Sequence, residues 1–250
     1  MTADRYLASL ITKYAVDIDA AQAAANKIAP IINDWANGYL LELRFSGSIA
    51  KGTAVSISTD ADIFISLSST TPSTLSQIFH SLHAALTASG YSARAQNVSI
   101  GLTVNRQKID LVPGRRQSQF GSLHSLYRSK ADSWTQTDVA SHVSLIAGSN
   151  RTDENKVLKI WRQLHALPLP SFFLELMVIG ALHGARIGTV AENVWTALAY
   201  VRDHVQVARC VDPANSNNIV SDDCTSFEKS QIATAAARSC AETTWERVVW

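Results

Sequence analysis

Three aspartates hold most of the chemistry this sequence could perform. Asp60 and Asp62 stand two positions apart at the head of the segment "DADIFISL", where the period-two geometry of a strand points both carboxylates to one face. Asp110 comes much later, inside "KIDLVP", with apolar Ile109 and Leu111 on either side facing the other way. If the two strands are neighbours, three carboxylates converge. Like charges so close repel, and the cluster is tolerable only around a cation. Magnesium suits it, because it takes oxygen ligands, keeps some water and is commonly held by a few carboxylates plus substrate phosphates. Zinc would want His or Cys, and His80 and His83 on a shared helix lack a third ligand nearby in sequence.

A second feature lies upstream. Gly47 and Ser48 sit at a strand-to-loop turn, with Lys51, Gly52 and Thr53 close behind. Such a loop can present backbone N–H groups to phosphate oxygens, with glycine allowing close approach and Ser48 adding a hydroxyl. An ordinary surface turn looks the same in sequence. The acidic pair that follows favours a phosphate cradle beside a metal site.

The elements around these residues are legible from their periodicity. Apolar residues recur at helical spacing from Asp4 to about Asn37, as one helix kinked by Pro30 or two abutting ones. "YLLELRF" reads as a strand, and Ile63, Ile65 and Leu67 alternate with Asp62, Phe64 and Ser66 in a second. "TPSTLSQIFHSLHAALTASG" reads as a helix, and "YSARAQ", "NVSIGLTV" and "QKIDLVPG" as β-rich pieces. Long helical patterns then run through Asn155 to Leu167, Ser171 to His183, Val190 to His204 and Ser226 to Arg238, with a turn-rich loop "VDPANSNNIVSDD" before the last. The order predicts an α+β protein: a mixed-sheet core with its N-terminal helix over residues 1–145 and a helical C-terminal lobe over 146–250. A cleft between the lobes is the default ligand site.

Composition excludes several classes. The 250 residues carry 22 basic and 21 acidic side chains, a net charge of +1, so the chain is not one that coats nucleic acid. With 46% hydrophobic and 17% charged residues it is neither disordered nor fibrous. The longest apolar run, Phe172 to Leu182, is too short for a bilayer and contains Glu175, so no membrane role is expected. No signal peptide opens the chain, and the three widely spaced cysteines, Cys210, Cys224 and Cys240, fit a reducing cytoplasm.

The segment "GSIAKGTAVSISTDADIFISL" resembles the signature of the polymerase-β-type nucleotidyltransferase superfamily, in which a Gly-Ser turn precedes an Asp-x-Asp strand. Within it the chain is similar to the branch holding oligoadenylate synthases, bacterial cyclic-oligonucleotide synthases (CD-NTases), with their part in antiviral defence, and archaeal CCA-adding enzymes. "KIDLVPGRRQ" resembles the third-carboxylate strand, "KVLKIWR" the phosphate-binding helix, "PSFFLELMVIGAL" the next core helix and "VDPANSNNIV" the DP-x-N-x-x-N turn. The resemblance implies the nucleotidyltransferase palm fold. It makes Asp60 and Asp62 ligands of two Mg2+ ions, with Mn2+ as a substitute, and Asp110 a ligand of the acceptor-side ion. It also implies that Gly47, Ser48, Lys159 and Ser171 hold the triphosphate of an ATP-like NTP, with Lys156 the rival of Lys159 and Phe172 near the base. Arg115 and Arg116 leave the Asp110 strand where an acceptor would enter. Asp212, Asn215 and Asn218 are assigned to organising their turn, and Glu175 to a buried hydrogen bond or ion pair.

Three activities follow from the resemblance, all transferring a phosphorus group. The first joins nucleotides to each other as a CD-NTase does, with a nucleotide acceptor. It is favoured by a length too short for extra RNA-gripping domains and by the absence of a basic tract. The second extends an RNA 3′ end, as CCA-adding enzymes do to tRNA. The third is a toxin-type transfer to another macromolecule. Base preference, linkage and oligomeric state are not written in the sequence.

Overall fold

Helix starts are set by side chains that satisfy the first free N–H groups. Thr74, Thr189 and Thr225 each accept from the residue three positions on, and Gln77, Glu192 and Glu228 accept in return from the cap backbone. The computed structural model describes residues 1–58, 60–184 and 188–250. It divides into two units, which are taken in turn.

The sheet unit comprises Asp17–Lys51 and Asp60–Val143. Helix α2 (Ile18–Ala36), capped by Asp17, contains Pro30 without ending there. Strand β1 (Leu40–Phe45), short helix α3 (Gly47–Ala50), strand β2 (Ala61–Leu67) and helix α4 (Leu75–Ala88) follow. Strands β3 (Arg94–Ala95), β4 (Ile100–Val104), β5 (Gln107–Arg116), β6 (His124–Arg128) and β7 (Ser133–Thr137) complete a seven-stranded sheet. Its path is β1-β2-β5-β4-β3, with β6 and β7 continuing from β5. β2 and β5 are parallel and the other pairs antiparallel. One face, built on Ile63, Ile65, Leu67, Ile100, Leu102, Ile109 and Leu111, is sealed by α2 and α4 through Ile28, Ile32, Phe79 and Leu82. The other carries Asp62, Phe64, Asp110 and Val112. There Phe64 and Leu126 pack against Val139 and Val143, at the start of helix α5 (Val139–Gly148).

The helical unit comprises Met1–Val16, Gly52–Thr59 and Ser144–Trp250. It contains α1 (Ala3–Lys13), α6 (Thr152–Leu164), α7 (Ser171–Ala181), α8 (Val190–His204), α9 (Ser226–Ala241) and the short α10 (Trp245–Val248). Its core holds Trp161, Phe173, Val178 and Leu198 together with Leu7 and Leu10 of α1. The chain therefore does not part at one cut near residue 145: the first helix and the segment after Lys51 belong with the C-terminal helices.

Of the two readings of the N-terminal periodicity, two helices is the one found, broken where Tyr14 ends α1 and Asp17 starts α2. Three further differences from the sequence reading stand out. "YSARAQ" contributes only the two-residue β3. The hairpin β6–β7 and helix α5 were not anticipated. The turn-rich "VDPANSNNIV" is a hairpin of β8 (Val211–Asp212) and β9 (Asn215–Ile219). Its side chains stabilise the turn: Asp212 accepts from the Ala214 N–H at 2.8 Å and from Asn218 Nδ2 at 3.1 Å. Asn215 likewise accepts from the Asn217 N–H.

Candidate active site

The strand register puts the chemistry in one row across the second face of the sheet. Asp62 on β2 is paired with Asp110 on β5, in parallel register, so their side chains leave the same face one strand spacing apart. Asp110 is paired on its other side with Gly101 of β4, and Gly101 with Arg94 of β3. On the far side, the Ser46 N–H donates to the Asp62 carbonyl at 2.8 Å, which ties the start of α3 to β2. The row thus runs from the Gly-Ser turn through two carboxylates to an arginine.

Gly47 fits this place for two reasons. Its φ is +55°, in the left-handed region, and a Cβ built there would lie 1.9 Å from Asp62 Oδ2. No side chain could occupy that space while the carboxylate stays where it is. The expected strand-to-loop turn is in fact the short helix α3, with Gly47 and Ser48 as its first two residues. A cavity of about 200 Å³ opens beside Asp62, and Gly47, Lys51, His142, Phe64, Val112 and Leu126 are among the residues that line it.

Asp60 precedes β2 and is half-buried. Burial raises the pKa of Asp110, and the charge of Asp60 raises it further, while a hydrogen bond from Gln96 and the charge of Arg94 act the other way. Ionisation of Asp110 is therefore opposed by both desolvation and like-charge repulsion. Among the described residues no three His, Cys, Asp or Glu side chains gather closely enough to hold a metal ion by themselves. The expected three-carboxylate convergence is thus a close pair, Asp62 and Asp110, with Asp60 within electrostatic reach. This donor set still fits magnesium, a hard cation usually held by one or two carboxylates and completed by water and substrate phosphate.

The residues expected on the helical unit are placed differently. Lys159 is only 1% exposed and is not an open cation. Its ammonium donates to Glu175 Oε1 at 2.6 Å and to Thr53 Oγ1 at 2.8 Å, and Thr53 donates in turn to Glu175. The ion pair expected of Glu175 is thus present. Ser171 opens α7, and its hydroxyl accepts from Arg162 at 2.8 Å. Lys156 is half-buried and pairs with Asp153 at 3.2 Å. Phe172 is half-buried against the helical core. On the sheet unit, Arg115 is held by the carbonyls of Ser73 and Thr71 and Arg116 by that of Gln119. His83 bonds the Ala93 carbonyl.

Gln96 was not anticipated. Its Nε2 donates to Asp110 Oδ1 at 2.9 Å. No motif marks a glutamine in the turn between two short strands, and only the register brings it to Asp110.

No protein-family model and no curated protein matches this sequence. Solved structures do match its fold. The CdnC of E. coli MS115-1, in a structure with ATP, superposes with a TM-score of 0.76 at 18% identity, covering 99% of this chain and 97% of that one. The CD-NTase CdnG of Bradyrhizobium diazoefficiens, in complex with GTP, gives 0.75 at 15% identity over 98% and 95%. The Cid1 poly(U) polymerase, as a MgATP-bound mutant, gives 0.71 at 12% identity over 95% and 93%. The fold is therefore the one these CD-NTase and poly(U) polymerase structures share. Among the described residues, no helix is long and apolar enough to cross a membrane.

Proposed function

We propose that this protein is a magnesium-dependent nucleotidyltransferase that moves a nucleoside monophosphate from an NTP to a nucleotide hydroxyl and releases pyrophosphate, making cyclic or linear oligonucleotides. The observation that carries this reading is the pairing of Asp62 with Asp110 beside Gly47, on a fold shared with CD-NTases. Asp60, Asp62 and Asp110 would hold two Mg2+ ions, or Mn2+ in their place. What the bound metal supplies is a lower pKa for the attacking hydroxyl and neutralisation of charge on the leaving pyrophosphate.

The chain's own residues orient the reactants and handle the proton. The acceptor oxygen bonds to the α-phosphorus in line with the departing bridging oxygen, which leaves with the pyrophosphate. Asp110 takes up the acceptor's proton. Gly47 and Ser48 hold phosphate oxygens through backbone N–H groups and the Ser48 hydroxyl. Of the two lysines, Lys156 is the one we assign to the outer phosphates, because Lys159 is committed to Glu175. Ser171, whose oxygen accepts from Arg162, keeps its O–H to donate to a phosphate oxygen, and Phe172 stacks near the base. The ATP and GTP in the CdnC and CdnG structures support an NTP substrate. The three free cysteines fit our placement of the protein in the cytoplasm.

The likeness to a poly(U) polymerase favours a second reading, transfer to an RNA 3′ end. Incubation with Mg2+ and labelled NTPs, with and without tRNA or other RNA, separates the two. Short nuclease-resistant products without RNA support oligonucleotide synthesis, and label found only on RNA replaces it with the second reading.

A further inference from the structure

Asp110 is held by a partner that carries no charge. Gln96 donates through Nε2 to Asp110 Oδ1 at 2.9 Å, and its own Oε1 accepts from Ser99 Oγ at 3.0 Å. The carboxylate, an acceptor only, takes the NH2 end of the amide, and the Ser99 hydroxyl holds the other end. The backbone of Gln96 is pinned as well: its N–H donates to the Ser99 carbonyl at 2.8 Å, and its carbonyl accepts from Ser129 Oγ. Space for the amide comes from Gly101, the residue paired with Asp110 on β4. A Cβ there would lie 2.6 Å from Gln96 Nε2 and 3.0 Å from Asp110 Oδ1.

A lysine or arginine at this place would orient the carboxylate but cancel the charge that a cation needs. A neutral amide orients it and adds no cation to the Arg94 that already acts on it from β3. It also occupies one oxygen only, so Oδ2 remains for the acceptor side. We propose that Gln96, locked by Ser99 and admitted by Gly101, is the positioning residue that presents Asp110 to the divalent cation and the acceptor hydroxyl. This rests on the nucleotidyltransferase reading above.

The test compares wild type with Gln96→Met, which keeps the length and removes the donor, and with Gly101→Ala, which displaces the amide by another route. Outer-shell partners of this kind are worth about 10- to 100-fold in metal affinity or activity. The Mg2+ concentration giving half-maximal rate is expected to rise about tenfold in Gln96→Met, with KM for the NTP unchanged. A smaller folded fraction would lower the rate without moving that concentration. Mn2+ binding without nucleotide, followed by electron paramagnetic resonance, is expected to weaken by a similar factor. Unchanged Mg2+ requirement and Mn2+ affinity in Gln96→Met overturn the proposal, and Gly101→Ala decides in the same way if Gln96→Met does not fold. Asp110→Asn in the same assay separates the two levels. If it stays active, the nucleotidyltransferase reading fails. If it is dead while Gln96→Met matches wild type, only the role of Gln96 fails.

Discussion

The two polar clusters of this molecule are built on opposite plans. In the helical unit, Lys159, Glu175 and Thr53 close on one another in the interior, with one positive and one negative charge and a hydroxyl that both donates and accepts. On the sheet, Asp62 and Asp110 stand side by side in register with Asp60 nearby, and at Asp110 burial and the charge of Asp60 oppose ionisation while Gln96 and Arg94 favour it. A cluster that is neutral and closed serves folding, because breaking it would leave a buried charge unpaired. A carboxylate whose ionisation burial and a like charge both oppose, as at Asp110, is costly by itself and makes sense when a cation and a phosphate complete it. The buried ion pair and the carboxylate of raised pKa therefore separate a structural from a functional polar residue here better than residue type does.

The largest effect should come from the sheet. Asp62→Asn or Asp110→Asn is expected to lower turnover by more than about a thousandfold, measured as pyrophosphate release, without loss of melting temperature. For Asp110 the sign can be followed through. Its pKa is raised from the ordinary 3.8, so the folded state binds a proton more readily than the unfolded chain. The cost of its ionisation is absent below that ordinary value and grows as pH rises through the folded pKa. Asp110→Asn should thus raise the melting temperature near neutrality, and the gain should vanish in acid.

In the helical unit the expected loss is one of stability. Lys159→Met should cost about 3–5 kcal/mol in urea unfolding, and replacing Glu175 by Leu as well should restore much of it. If Lys159→Met instead leaves stability intact and raises only KM for the NTP, the lysine is a phosphate ligand and the contrast between the clusters collapses. Gly47→Ala comes next. Its Cβ would displace Asp62 Oδ2 from 1.9 Å away, and a shift of that order is worth roughly a hundredfold in turnover.

The smallest effect concerns the edge of the sheet face. Asp138 precedes α5 and accepts from Ser122 Oγ at 2.6 Å, Ser141 Oγ at 2.8 Å and the Ser141 N–H at 3.1 Å. Burial pushes its pKa up, but these bonds together with the Ala140 N–H outweigh burial and hold it below the ordinary value. Its stabilisation is present above the ordinary carboxylate pKa and lost as pH falls through the depressed one. Asp138→Ala should cost about 1 kcal/mol at neutral pH, as loss of a helix cap does, and nothing at strongly acid pH.

What the sequence discloses follows from how local each signal is. The alternation of Ile63, Ile65 and Leu67 with Asp62 and Phe64 is a property of one strand, and it orients the carboxylate before any fold is known. Helices α4, α8 and α9 carry their boundaries in their capping threonines. Strands β6 and β7, "HSLYR" and "SWTQT", lack a clean apolar alternation: Leu126 packs with Val139 on one face and Tyr127 against the core of the other, among mostly polar neighbours. The hairpin at Val211–Ile219 hides in an Asn-rich stretch whose side chains bond their own backbone. The partners of Lys159 and Asp110 depend on tertiary register. Glu175 meets Lys159 from another helix, and Gln96 meets Asp110 across a glycine on the intervening strand, so periodicity could not pair either of them.

The most direct test of the account is pyrophosphate release from each of the four NTPs with Mg2+, in the presence of nucleotide or RNA acceptors, by wild type and by the Asp62→Asn/Asp110→Asn double variant. The account predicts metal-dependent release by wild type with at least one NTP and none above background by the folded double variant. Equal release by both proteins, or none by wild type under every pairing of NTP and acceptor, would contradict it.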